Sequence, residues 1–493
     1  MIKKYLIFIT VFIGISNYSL SQTFSVQELK EDIDFVFQKV ENIHVNPYFK
    51  YSKKFIDSCK NEMIQSLVPM DTTEFNFWII PKVNWLFDSH THIQNSHISD
   101  LVKERKSKNQ IINFLDKDIN DSLTIIFINT SSNNLLHHKT GKHQLIKVGK
   151  YNIDSILQYT VNSTATDLHK PFHYFITGNL GANIACLLDY DSILPIEIIS
   201  EGVIERDTII FSQKSIQKNI ISDTVAEFDI YSTLKKNDFE IWPNERIAIL
   251  NLRNFNSWSL DYNEYIVFID EFFTSINQHN IEYLFINLNE NYGGSSDFGM
   301  CLLNYICKKP RDIVIETKYA KKSEEALSIQ FEYCKQKYKI TDSLELISVY
   351  NQIINDTSYN KLFDRKINIE PKVNSFKGKV FILQSKWTYS APIMFCATSK
   401  YYKFATVVGE ETRGLTETYI DCVSLKMPNS KIPFVCSMKY SKNIGSIPFR
   451  GVIPDLHFDY GYIPNIKDRY YLKLETLKSI IEKHETPTKA HTP

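Results

Sequence analysis

The chain has 493 residues, 43% hydrophobic and 23% charged, and its 56 basic and 56 acidic side chains balance to a formal net charge of zero. That length carries two or three domains with a large core, and the neutral balance excludes the overall basic field on which nucleic-acid binding depends. Beyond the N-terminus no stretch is long and apolar enough to cross a bilayer, so no integral membrane span is expected.

Residues 1–21 read as a secretory signal: Lys3 and Lys4 open it, 6–15 is a short apolar run, and Ser19-Leu20-Ser21 supplies small residues before Gln22. An exported protein, periplasmic or extracellular, is expected. The eight cysteines are scattered without CxxC or Cys/His spacing, so neither a metal site nor a cofactor is expected. Most read as buried free thiols, and Cys422 and Cys436 are candidates to pair across neighbouring strands.

Ser25 and Glu28 have the spacing of a capping box, and Leu29, Ile33, Val36, Phe37 and Val40 follow at helical intervals. Two more amphipathic helices, over 55–67 and 74–87, complete a helical N-terminal subdomain at 22–95. It ends in Asp88-Ser89-His90-Thr91-His92. Alternate histidines share one side of a strand, Asp88 reads as a turn cap, and His90 sits at a corner that aims it toward a cleft. For a lone histidine the commoner role is structural, and no third metal ligand lies near the pair.

Residues 96–240 read as a small mixed domain: a strand at 145–148 feeding a helix at 153–157, a helix at 168–176, and β-like alternation over 194–228. From 246 the pattern becomes α/β. A strand at 246–252, a helix at 262–278 and a buried strand at 283–288 lead into Asn289-Glu290-Asn291-Tyr292-Gly293-Gly294-Ser295. Paired glycines adopt positive φ and present amides that suit an oxyanion, though a lone Gly-Gly is more often a plain turn into a helix. The span 308–375 reads as an insertion, with a helix at 344–354.

The stretch 379–414 then gives an apolar strand (380–383), the sequence Thr388-Tyr389-Ser390-Ala391-Pro392, a buried helix and a second strand (405–408), which together form a βαβ unit. Pro392 fits a first helical turn. Ser390 falls where a strand's carboxyl end meets a helix N-terminus, the place where open α/β sheets put their chemistry. Taken locally, a helix N-cap is the commoner use of such a serine. Strand-like residues at 425–438, a turn at 451–455 and a helix at 469–482 follow, and the tail within 466–493 is expected to be disordered.

Four landmarks thus occur in order: DSHT, NENYGG after a buried strand, TYSA opening a helix, and VVGEETRG with GVIPD. The set resembles the S41 family of serine peptidases, the tail-specific or C-terminal-processing proteases, and its DSHT corner resembles the secreted, tricorn-like branch. The resemblance implies an α/β fold in an α+β multidomain arrangement. Its parts are the helical N-terminal subdomain, a middle domain standing where the family carries peptide-binding PDZ modules, and a βαβ-containing, ClpP/crotonase-like core over 241–465.

The resemblance also implies roles. The lysine-base branch carries GKG after the second strand; Gly414-Leu415-Thr416 stands there, and leucine takes no proton. The tricorn-like branch places a histidine base at the DSHT corner, which selects His90. Ser390 is then the nucleophile, His90 the general base, and Ala391 with Gly293 or Gly294 the oxyanion donors. The expected partner is a peptide or protein substrate. Two positions depart from the pattern. Pro448 stands three residues before Gly451, where the branch has a glutamate, so that Glu410, Glu411 or Glu417 would have to substitute; Asn287 and Asn289 replace the usual aspartate and arginine. These departures favour a second reading, a catalytically impaired peptide-binding protein on the same scaffold. An esterase is a third, weakened by the absence of a GxSxG elbow.

Overall fold

The computed structural model describes residues 23–94, 102–105, 115–119, 122–128, 135–137, 143–167, 173–188, 193–210, 237–255, 261–337, 340–356, 359–412, 414–458 and 472–485. The expected signal segment at 1–21 lies outside them. Among the described residues no helix is long and apolar enough to cross a membrane.

The N-terminal helices form as their caps dictate. Ser25 Oγ accepts from the Glu28 amide and Glu28 returns a carboxylate oxygen to the Ser25 amide, starting the helix Val26–Ile43. Lys53–Gln65 and Thr72–Val83 follow, and a 3-10 turn, Asn84–Leu86, ends the subdomain. Their apolar faces share a core with Met427, Ile432, Phe434 and Cys436, so the N-terminal subdomain from Phe24 onward packs against the far C-terminal part of the chain.

The middle region builds a mostly antiparallel sheet that includes His143–Val148, Ile193–Ser200 and Val203–Ile210, backed by the helices Ile153–Ser163 and His173–Leu187. The second helix reaches eleven residues past the expected end at 176, continuing through Gly178 and Gly181, because Leu180, Ile184 and Ala185 are buried there. Tertiary burial here overrides the poor helix propensity of glycine.

The C-terminal half is organised on a six-stranded sheet in the order Asp238–Trp242, Ile247–Asn251, Tyr283–Asn287, Lys379–Gln384, Thr406–Gly409, Leu456–His457. All neighbours are parallel except the first pair. Both faces are buried, as the strands' continuous apolar runs require. Ala248, Leu250, Leu284, Ile286 and Ile382 face the helices Tyr262–Gln278 and Ala391–Tyr401, while Ile249, Phe285, Phe381, Leu383 and Val408 face the terminal helix Leu474–Glu485.

A second sheet runs Leu362–Ile369, Arg311–Ala320, Pro433–Asn443, Glu417–Lys426, and the short strand His92–Ile93 adds to Pro433–Asn443. The span 308–375 therefore supplies two strands to this sheet, along with the helices Glu324–Lys337 and Ser343–Asn355. In the hairpin, Cys422 stands opposite Ser437, and Val423 opposite Cys436. The two thiols thus fall on opposite faces, one exposed and one buried, and all eight cysteines are unpaired.

Candidate active site

Two adjacent parallel strands, Tyr283–Asn287 and Lys379–Gln384, release their carboxyl ends side by side. The glycine turn leaves the first and the segment before Ser390 leaves the second. Side chains rivet the two connections together. Thr388 Oγ1 donates to Leu288 O at 2.9 Å, Ser385 Oγ donates to Asn289 O, and the Tyr389 amide donates to Asn291 O at 3.0 Å. Ser390 emerges with φ 66° and ψ −123°, a conformation that costs an L-residue free energy, and caps no amide of its helix with its side chain. The residue is exposed, while Ala391–Ser399 behind it are all buried. A structural N-cap serine has extended backbone and an engaged hydroxyl; Ser390 has neither.

Gly293 lies against this serine. With φ +103°, it approaches so closely that an added Cβ would stand 2.6 Å from Ser390 Cβ, 2.9 Å from Tyr389 O and 3.1 Å from Ser390 Oγ. Any side chain there would displace the serine.

The DSHT corner reaches the same place through the second sheet. Its strand His92–Ile93 pairs with Val435 and Phe434, Thr91 Oγ1 accepts the Ser437 amide at 3.0 Å, and Asp88 Oδ1 accepts the Ser437 hydroxyl at 2.9 Å. Asp88 also caps the turn as its sequence suggests, accepting the His90 amide at 2.8 Å. Burial pushes the Asp88 carboxyl up, but the hydrogen bond and charge of His44, 3.0 Å away, outweigh it and hold the carboxyl well below the ordinary carboxylate range. The His90 ring then stacks on the Tyr389 ring, with centroids 6.5 Å apart and planes at 20°, and Tyr389 Oη lies 3.3 Å from Ser89 Oγ. The imidazole is thus set beside the residue that precedes Ser390. His92 is turned inward; its Nδ1 is buried without a partner, and burial lowers its pKa.

Residues 246–458 match the sequence profile of peptidase family S41, a little under half of the chain. They form an S41 peptidase domain. No curated protein matches the chain. Among solved structures, the whole chain is similar in fold to a mutant of CPAF, at TM-score 0.57 and 12% identity, covering 95% of this chain and 99% of that one. Mature CPAF complexed with lactacystin is similar at TM-score 0.55 and 12% identity, covering 93% and 97%. The likeness, at that identity, is one of fold; the peptidase-family match belongs to residues 246–458.

Within the S41 domain the two glycines differ. The buried Gly293 amide donates to Asn291 Oδ1 at 2.9 Å, so it is already spent. The exposed Gly294 amide and the Ala391 amide donate to no other group among the described residues. Asn287, at the usual aspartate position, donates to Asn251 Oδ1 and accepts the Asn289 amide, bracing the strand ends. A cavity of about 940 Å³, lined by Lys308, Arg311, Tyr402 and Val452 among others, lies apart from Ser390, His90 and Gly294.

Neither Glu411 nor Glu417 serves the corner. Pro448 lies in an exposed turn. Glu411 is held by Arg450 and by the Gly451 amide, and Glu417 by Tyr440, Ser446 and Lys442. The carboxylate that approaches comes from the middle region. Asp167 Oδ2 accepts from Ser89 Oγ at 2.7 Å, and Ser89 Oγ lies 3.2 Å from His90 Nδ1. Burial, then the charge of Asp88, push the Asp167 carboxyl up. Asp167 went unnoticed in the sequence because it follows no motif; its neighbour Thr166 is brought in by Lys50, whose buried ammonium donates to the carbonyls of Trp85, Phe87 and Thr166.

Proposed function

We propose that the protein is an exported serine-type endopeptidase of the tricorn-like branch, with Ser390 as nucleophile and His90 as general base. In this reading His90 Nε2 takes the Ser390 hydroxyl proton as Oγ attacks the peptide carbonyl. The tetrahedral oxyanion rests on the Gly294 and Ala391 amides, His90 returns the proton to the leaving amine, and water releases the acyl group from Ser390 by the same steps in reverse order. The observation that carries the reading is the backbone of Ser390: a non-glycine residue at φ 66° and ψ −123°, exposed at the N-terminus of a buried helix. Strain of that kind, retained where any glycine would relieve it, is the expected mark of a hydroxyl held out for reaction. Support for His90 comes from its stacking on Tyr389, and support for the donors from the two unengaged amides. The oxidising compartment implied by 1–21 is compatible with eight thiols that form no disulfide, since four of them are buried and only Cys422 is exposed.

A second reading, a catalytically impaired peptide-binding protein, is favoured by Pro448 at the glutamate position. Covalent labelling by a fluorophosphonate separates the two. The peptidase reading expects stoichiometric labelling of the purified protein at Ser390, absent in Ser390→Ala at an unchanged thermal midpoint. Peptide binding without labelling would establish the second reading instead.

A further inference from the structure

We propose that Asp167, acting through the Ser89 hydroxyl, holds the His90 imidazole in the tautomer that leaves Nε2 bare toward Ser390. This rests on the reading of Ser390 and His90 above and supplies the positioning group which that reading lacks.

The argument is one of proton counting. Ser89 Oγ has three neighbours: Asp167 Oδ2 at 2.7 Å, His90 Nδ1 at 3.2 Å and Tyr389 Oη at 3.3 Å. A serine hydroxyl has one proton to give and two lone pairs to offer, and an ionised carboxylate only accepts; Asp167 acts here in its ionised form, although burial works against that form. The Ser89 proton therefore goes to Asp167. Both remaining neighbours must donate, so Tyr389 gives its hydroxyl proton and His90 gives an Nδ1–H. A neutral imidazole with its proton on Nδ1 is a base at Nε2. Take the acceptor away, as in Asp167→Ala, and the Ser89 proton is free to go to His90 Nδ1, which leaves Nδ1 without its own proton and Nε2 protonated, the wrong tautomer for a base.

Asp167 is placed by three segments at once. Lys50 ties Thr166 O at 2.7 Å to Phe87 O at 2.7 Å, next to the corner. Thr418 Oγ1, from the strand Glu417–Lys426, gives Asp167 Oδ2 a second hydrogen bond at 3.2 Å. The other oxygen, Oδ1, is buried with no partner. A buried acceptor left unmatched is costly, and nothing in the packing requires a carboxylate rather than an amide at this position. Ser89 and Asp167 are positioning residues in this scheme, since neither meets the reacting atoms.

The test combines labelling kinetics with a tautomer measurement. Wild-type protein is expected to react with the fluorophosphonate, Ser89→Ala and Asp167→Ala about 100-fold more slowly, and Asp167→Glu at an intermediate rate. Labelling of the wild type together with rates within threefold of it in both Ser89→Ala and Asp167→Ala would overturn the inference while leaving the peptidase reading intact. Absence of labelling in the wild type would overturn the peptidase reading instead. Should the variants fail to fold, 15N NMR of the wild-type imidazoles, with His90 assigned through His90→Gln, reads the tautomer directly. An Nδ1–H with a bare Nε2 is expected, and an Nε2–H with a bare Nδ1 would overturn the inference whether or not the protein labels.

Discussion

Ser89 and Tyr389 are separated by 300 residues of chain, and their hydroxyls lie 3.3 Å apart. Through that contact the corner carrying His90 meets the segment carrying Ser390. Tyr389 is half-buried, and burial raises its phenol pKa, so at any ordinary pH it remains a hydrogen-bond donor. Removing the hydroxyl in Tyr389→Phe keeps the ring that stacks on His90 and deletes the bond to Ser89. Fluorophosphonate labelling is expected to slow by about 3- to 10-fold in this variant, a loss of about 1 kcal/mol typical of one neutral hydrogen bond. Tyr389→Ala, which removes the ring as well, is expected to slow it further. Equal rates for wild type and both variants would show that the contact does not align the two groups.

The strained backbone of Ser390 yields a prediction about stability. Glycine adopts positive φ without the Cβ penalty, so Ser390→Gly is expected to be more stable than Ser390→Ala by about 1–3 kcal/mol, although neither variant labels. Chemical denaturation of the two variants measures the difference. A Ser390→Gly protein less stable than Ser390→Ala would mean that the conformation is not strained.

Gly293 makes the opposite case. An alanine Cβ there would stand 2.6 Å from Ser390 Cβ and 2.9 Å from Tyr389 O, at φ +103°. Neither neighbour is the free end of a flexible side chain, so the turn and the serine segment must separate. Gly293→Ala is expected to lose at least 100-fold in labelling rate and about 1–3 kcal/mol in stability, measured by labelling kinetics and by denaturation. Wild-type behaviour in both would remove Gly293 from the site.

Lys50 links stability to pH. Burial lowers its pKa to about 8, against an ordinary 10.5, with Asp167 and Asp88 opposing the shift. Between those values the unfolded chain binds a proton at this side chain that the folded chain does not, so the contribution of Lys50 to stability rises as pH rises from about 8 to about 10.5. Lys50→Met cannot titrate and leaves three carbonyls without their donor. It is expected to be less stable than wild type at pH 7, and the gap is expected to widen by roughly 3 kcal/mol by pH 10.5. Urea denaturation of both proteins across that range measures it; a constant gap would place the Lys50 ammonium in contact with water.

Much of this was legible in the residues themselves. The capping box at Ser25, the apolar runs at 283–288 and 380–383, the helix at 262–278 and Pro392 in a first helical turn are local patterns, and each forms the element that its pattern implies. Periodicity, caps and first-turn proline are properties of neighbouring residues, so a linear reading captures them. The pairing of Cys422 with Cys436 failed on register, which depends on how two strands slide past one another and cannot be counted from spacing.

The sequence by itself determined the core strands at 246–252, 283–288 and 380–383, the helix at 262–278 and the order of the landmarks, and the family resemblance those landmarks carry singled out Ser390 and His90. Only the tertiary structure decided what stands around them. It engaged the Gly293 amide and left that of Gly294 unengaged, turned His92 inward, occupied Glu411 and Glu417 elsewhere, and brought Asp167 from the middle region to Ser89. The reason is that a hydrogen-bond network in a folded chain joins groups by distance and orientation. Segments around positions 88, 167, 291, 390 and 418 meet here because two sheets and a buried lysine pull them together, and no local pattern of residue types encodes that meeting.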